Sequence, residues 1–227
     1  MCGRYSLFTE AAELQERFGA TMSFEFEPRY NAAPSQSLPV ITSESPETIQ
    51  RLEWGLIPEW AESDGGAHIN ARAETVDEKP AFQSAYESRR CLVLADGFYE
   101  WSRSGDGKRP HRVSLIDDEP FAMAGLYERW RPDTLQTGLG AFAGDGPTGE
   151  ADPRETFTII TTEPNGVVEP LHHRMAVILD PDEESAWLEG RSVSLDPYPD
   201  DRMRSYPVST AVNDPSNDSP ELIEPVG

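Results

Sequence analysis

Cys2 directly follows Met1, and so small a second residue normally permits removal of the initiator methionine. Cys2 would then carry a free α-amine and a thiol on adjacent carbons, a 1,2-aminothiol. An unperturbed α-amine titrates at about 7.7–8.0, so part of it is neutral at pH 7 and adds to an aldehyde as a Schiff base. The thiol then closes a thiazolidine ring. An internal cysteine cannot do this, because its nitrogen is already an amide. Position alone leaves two readings of Cys2: this reagent, or an incidental residue at a frayed terminus.

Other residues offer acid–base and anion-binding chemistry. His172 and His173 stand before Arg174, Met175 and the apolar run Ala176 to Leu179, where a loop enters a strand. Histidine is the natural proton carrier near neutral pH, but adjacent strand residues point to opposite faces, so only one of the two is expected at a site. Glu100 lies between Tyr99 and Trp101 in Gly97-Phe98-Tyr99-Glu100-Trp101. It reads either as a partly buried carboxylate of raised pKa or as a salt-bridged edge residue. Arg4, Arg72, Arg174 and Arg29 sit among apolar or small neighbours, which suits them to bidentate phosphate contacts. Trp54, Trp60, Tyr99 and Trp101 either stack on bases or pack the core. Cys2, Cys91 and four scattered histidines lack zinc spacing, and no dinucleotide or Walker motif is present, so no metal and no cofactor are expected.

The elements that must position these residues are mostly strands. Apolar runs predict strands at Leu38–Thr42, Cys91–Trp101, His111–Ile116, Phe121–Tyr127, Phe157–Thr162 and Met175–Leu179. Helices are predicted after a Thr9 cap as far as Gly19, after Pro80 with Phe82 and Tyr86 on one face, and over Asp182–Gly190. The order does not alternate as a βαβ fold would. Residues 131–154 are rich in glycine and acids without periodicity, and read as a flexible excursion within a single domain spanning 1–227, with an interdomain linker as the competing view.

The chain has 227 residues, 41 Asp and Glu against 19 Lys and Arg, and a net charge of −22. Its length and apolar fraction of 37% supply a core and exclude wholesale disorder. Only Lys79 and Lys108 are lysines. This balance suits a surface hydrated by carboxylates in concentrated salt, an ordinary acidic surface, or one that repels nucleic acid. No run approaches the roughly 18 apolar residues of a membrane span, and the N-terminus lacks a signal-peptide core, so a cytoplasmic protein is expected. Two cysteines exclude a disulfide framework and fit a reducing compartment.

Taken together, MCGRY at 1–5, RYNAAPSQ at 29–36, WGLIP at 54–58, NARAET at 70–75, GFYEW at 97–101, TTEPN at 161–165, HHRM at 172–175 and VNDPSND at 212–218 resemble the SOS response-associated peptidase family, in family order and over nearly the whole chain. Members act as abasic-site processing proteins that cross-link to DNA. The resemblance implies an α+β fold, a single domain with a twisted, barrel-like, mainly antiparallel sheet flanked by a few helices and a cleft for single-stranded DNA. It implies that Cys2, after loss of Met1, joins the aldehyde of an abasic site as a thiazolidine, with Asn70, Glu100 and His172 completing the catalytic set. Arg4 and Arg72 are expected to clamp phosphates, Pro34 and Trp54 to line the cleft, and Arg174 and Thr162 to add DNA contacts. The implied partner is single-stranded DNA containing abasic sites, bound by a monomer; a cysteine peptidase using Cys2 and His172 and a noncovalent single-strand binder are the alternatives. One departure is Ala176, where the family often has proline, which is expected to relax the loop holding His172.

Overall fold

A computed structural model describes residues 2–104, 107–131 and 153–226. The excursion expected at 131–154 therefore lies, apart from its ends, outside the described residues. In chain order the strands are β1 (Tyr5–Leu7), β2 (Thr21–Met22), β3 (Arg29–Ala32), β4 (Ser37–Thr42), β5 (Ser45–Trp54), β6 (Asn70–Arg72), β7 (Arg90–Ala95), β8 (Gly97–Ser104), β9 (Gly107–Leu115), β10 (Phe121–Trp130), β11 (Arg154–Thr162), β12 (Met175–Ala176) and β13 (Met203–Pro207). The α-helices are α1 (Ala11–Phe18), α2 (Gln83–Ser88) and α3 (Glu184–Leu188).

β7, β10 and β11 are buried along almost their whole length, which requires cover on both faces. Barrel closure supplies one face. β5 pairs with β4, β4 with β7, β7 with β10 and β10 with β11, all antiparallel, and β11 returns to β5 in parallel at Thr156–Glu53 and Phe157–Trp54. Closing the ring removes exposed strand edges. At Gly125 on β10 a Cβ would stand 2.8 Å from Cys91 Sγ and 2.9 Å from the Thr158 carbonyl, so only glycine lets the three strands approach. Outside the ring, α3 lays Trp187 against β7, its indole donating to the Cys91 carbonyl at 3.0 Å.

A second sheet, ordered β13-β9-β8-β1-β3, carries the start of the chain. β1 pairs with β8 at Tyr5–Phe98 and Ser6–Gly97 and with β3 at Tyr5–Ala32. The two sheets meet at Asp96, which is 1% exposed. Its carboxylate accepts from Ser6 Oγ at 2.6 Å, from the amides of Phe8 and Thr9, and from Arg112 Nη2 at 3.2 Å. This node explains two differences from sequence expectation. The strand expected over Cys91–Trp101 breaks at Asp96 into β7 and β8, one in each sheet. Thr9 does not cap α1: its amide and hydroxyl are drawn to Asp96, and Glu10 holds the cap position with no side-chain cap. Gly19 ends α1 at φ 60°, as the sequence predicts. α3 is shorter than Asp182–Gly190, and the expected strand Met175–Leu179 reduces to β12 and an isolated bridge at Ile178. Among the described residues no helix is long and apolar enough to cross a membrane.

Asp96→Asn leaves the Arg112 guanidinium buried without its counter-charge, and the expected destabilisation is about 3–5 kcal/mol in urea unfolding. A loss below about 1 kcal/mol would show that the node does not hold the sheets together.

Candidate active site

The pairing of β1 with β8 extends past Tyr5, because the Tyr99 amide donates to the Arg4 carbonyl at 2.9 Å. Residues 2–4 therefore run alongside 99–101. Cys2 is fully buried although it stands at the start of the chain. Its carbonyl accepts from Asn70 Nδ2 at 3.1 Å. Asn70 is delivered by β6, which lies parallel to β11 with Asn70 opposite Ile159. The other amide atom, Asn70 Oδ1, is buried and accepts no hydrogen bond among the described residues.

Glu100 is 2% exposed. Burial pushes its carboxyl up to about 7, with the Lys108 ammonium pulling the other way. Burial also pushes the Cys2 thiol up to about 12, and the negative charge of Glu100 acts in the same direction. Carboxylate and thiol are thus close enough to feel each other. Glu100 opens onto a cleft of about 520 Å³, whose other wall is the segment Glu169–His173 and whose lip carries Trp101, Arg103 and Lys108.

His172 and His173 both line this cleft, with ring centroids 4.3 Å apart. The expectation that they face opposite ways is corrected here: they precede β12 in irregular backbone, where strand alternation does not apply. His172 Nδ1 lies 3.1 Å from the Arg174 amide and 3.2 Å from the Arg174 carbonyl, so the neutral ring contacts this backbone through Nδ1 in either tautomer. Burial, aided by nearby positive charge, lowers the His172 pKa and favours that neutral ring. Ala176 is buried and paired with Thr161, so the sheet itself holds the end of this loop.

The other candidates divide. Arg4 Nη1 is fixed by Asn31 Oδ1 at 2.8 Å and by the Val212 carbonyl at 2.9 Å, while its Nε is buried with no partner among the described residues. Arg174 grips Glu74 through both terminal nitrogens and also donates to the Thr161 carbonyl. Arg72 is exposed at the end of β6, and its charge reaches Glu74. Thr162 is 6% exposed at the end of β11, opposite Met175. Pro34 is half-buried in the turn before Ser35, a non-glycine residue at φ 68°. Arg29 is paired with Asp218 at 3.0 Å. Trp54 is placed in the core rather than on a surface: it is 1% exposed, donates to the Ile69 carbonyl at 2.9 Å and packs on Tyr5 and Phe157. Tyr99 is also buried, whereas Trp60 is 67% exposed. Sequence reasoning missed Asn31, Glu74 and Asn213, whose Oδ1 accepts from the Trp101 indole at 2.7 Å. Asn31 and Asn213 lie inside quoted motifs, but nothing in their local sequence marks them as anchors.

Glu100 makes a testable link between pH and stability. Its carboxyl moves from the ordinary 4.5 to about 7 on folding, so the unfolded chain gives up its proton first as pH rises between those values. Stability from this group is therefore lost across that window, with a ceiling on the order of 3 kcal/mol. Glu100→Gln does not titrate. It is expected to match the wild type near pH 4.5 and to melt higher at pH 8; equal or lower melting at pH 8 contradicts the buried-carboxylate geometry.

The fold and the sequence have known counterparts. The family model described as SOS response associated peptidase (SRAP) matches residues 1–215. The chain is 42% identical over 238 residues to the abasic site processing protein YoqW of Bacillus subtilis, covering 99% of each. It is 32% identical to the abasic site processing protein HMCES of Gallus gallus, covering 100% of this chain and 78% of that one. A crystal structure of a Bacteroides thetaiotaomicron protein superposes with a TM-score of 0.81 at 28% identity, covering 99% of this chain and 100% of that one. With its barrel, its buried second residue and matched sequence over nearly its full length, the chain belongs to the SOS response associated peptidase family.

Proposed function

We propose that the protein captures abasic sites in single-stranded DNA, as a monomer, by forming a thiazolidine between Cys2 and the ring-opened deoxyribose once Met1 is removed. The observation that carries this reading is the burial of Cys2 against Asn70 and beside a carboxyl group that titrates near neutrality. The names of the relatives, which process abasic sites, support it.

The chemistry follows from the order of the pKa values. A thiol pushed up to about 12 is neutral at physiological pH, so the α-amine attacks first. An abasic sugar sits mostly as a closed hemiacetal; neutral His172 takes the anomeric hydroxyl proton and returns it to the ring oxygen as the bond from the anomeric carbon to that oxygen breaks, leaving the aldehyde and a free hydroxyl. Glu100 as carboxylate accepts a proton from the Cys2 ammonium. The amine adds to the aldehyde carbon, and Glu100 returns the proton to the hydroxyl, which leaves as water. The resulting iminium is attacked by Cys2 Sγ as its proton passes back to Glu100. One C–N bond and one C–S bond form, the C=O bond is lost and one water departs. Asn70 holds the Cys2 backbone so that amine, thiol and aldehyde meet without further ordering. The same raised thiol pKa argues against a peptidase that relies on a free thiolate.

In an assay with an oligonucleotide bearing one abasic site, Cys2→Ser is expected to abolish heat-stable cross-linking. His172→Gln should slow it by roughly 10²-fold, as loss of a general acid–base does. The wild-type rate should rise as pH passes through about 7, where Glu100 ionises. Undiminished cross-linking by Cys2→Ser would sink the proposal.

A further inference from the structure

From Ser102 onward β8 pairs with β9 alone among the described residues, and β9 meets β13 only from His111 onward. Residues 102–104 and 107–109 therefore run as a two-stranded ribbon, and Arg103 and Lys108 on it line the cleft. On it Arg103 stands directly opposite Lys108, with Trp101 opposite Pro110. Residues directly opposite in an antiparallel pair share a face with their Cβ atoms about 4.5–5.5 Å apart, and like charges there are destabilising. Arg103 and Lys108 are both exposed and both line the cleft, and neither is ion-paired with a carboxylate among the described residues. What sets them apart is their register: two cations face each other across one strand pair at the wall of the cleft. Several other arginines are taken up by acids: Arg89 by Glu128, Arg129 by Glu44 and Glu155, Arg154 by Glu53 and Asp64, Arg204 by Asp118; Arg51 and Arg90, which are not ion-paired among the described residues, lie instead over aromatic rings.

An uncompensated pair of cations, held face to face by strand register, is the arrangement expected where an anion from outside completes the charge balance. An anion held there lies at the mouth of the site, because Arg103 and Lys108 line the same cleft as Glu100 and His172. A deeply buried ligand does not meet both side chains, because they are on the open lip of the cleft. A flexible polyanion laid across the lip does.

We propose that Arg103 and Lys108 form a phosphodiester-binding subsite at the tip of the β8–β9 hairpin, which holds the nucleic-acid strand beside the cleft at a nucleotide flanking the reacting sugar. This rests on the DNA reading of the cleft but not on the covalent step. It also gives a strongly acidic protein a local point of attachment, because opposing charge at the contact outweighs distant carboxylates screened beyond about 10 Å at 0.1 M salt.

The test is the affinity of the full-length protein for an oligothymidine with no abasic site, measured by fluorescence anisotropy over a salt series. For the double variant Arg103→Gln/Lys108→Gln, the expected result is roughly ten-fold weaker binding at low salt. Its log–log salt slope should be shallower by about 1.4, the value for two single-strand phosphate contacts. Arg103→Lys should recover most of the affinity, since the charge is retained. Arg191→Gln, which removes an exposed arginine paired with Glu189 far along the chain, controls for net charge and should bind as the wild type does. Unchanged affinity and slope in the double variant, or an equal loss in Arg191→Gln, overturns the subsite. If that happens while wild-type protein still cross-links an abasic oligonucleotide, the capture reading survives and only the subsite is lost. Failure of the wild type to bind the oligothymidine at any salt overturns the subsite as well.

Discussion

The site exists because one buried carboxylate ties the start of the chain to two strands at once. Asp96 collects the Ser6 hydroxyl, the backbone amides that follow β1, and the Arg112 guanidinium from β9. A chain terminus is ordinarily frayed and solvated. Here β1 is pinned between β3 and β8, so Cys2 is buried and set beside Glu100. An ion pair as deeply buried as Asp96–Arg112 is not needed for stability alone, since apolar packing often serves as well. Its directionality fixes the position of β1, which apolar contacts would leave free to slide.

The same burial that positions the reactive groups also sets their protonation. Desolvation raises both the Cys2 thiol and the Glu100 carboxyl, and it lowers His172. The result is a neutral thiol, a carboxyl poised near pH 7 and a neutral imidazole within one small region, with no metal required for any proton movement. The arginines around it are already held: Arg4 by Asn31 and Val212, Arg174 by Glu74 and Thr161. A guanidinium fixed before the ligand arrives loses less rotational freedom on binding. The C-terminal segment takes part in this framework, since Val212 supports Arg4 and Asn213 supports Trp101.

Position in the chain marked Cys2 as either a 1,2-aminothiol or an incidental terminal residue, and the aromatic neighbours of Glu100 left burial and a salt-bridged edge both open; the fold buries both side chains. Asn70 could be placed only through resemblance, as nothing local distinguishes it from a surface amide. Asp96 was invisible: it sits inside an apolar run that reads as one strand, and the turn between sheets is created by partners at Ser6 and Arg112, far away in sequence. Trp54 shows the opposite failure. An indole in the WGLIP motif suits base stacking, yet ring contacts with Tyr5 and Phe157 bury it in the barrel. His172 and His173 were separated on paper by a strand rule that irregular backbone does not obey.

The central claim is that the buried Cys2 presents amine and thiol together to an aldehyde. Intact-mass spectrometry of the purified protein, before and after mixing with an oligonucleotide carrying one abasic site, tests it most directly. The account predicts a starting mass without Met1 and an adduct heavier by one oligonucleotide less one water, unchanged in mass by borohydride because the ring holds no reducible imine. A product that gains two hydrogens under borohydride would place the chemistry at a simple Schiff base, and retention of Met1 in a protein that still cross-links would contradict the account outright.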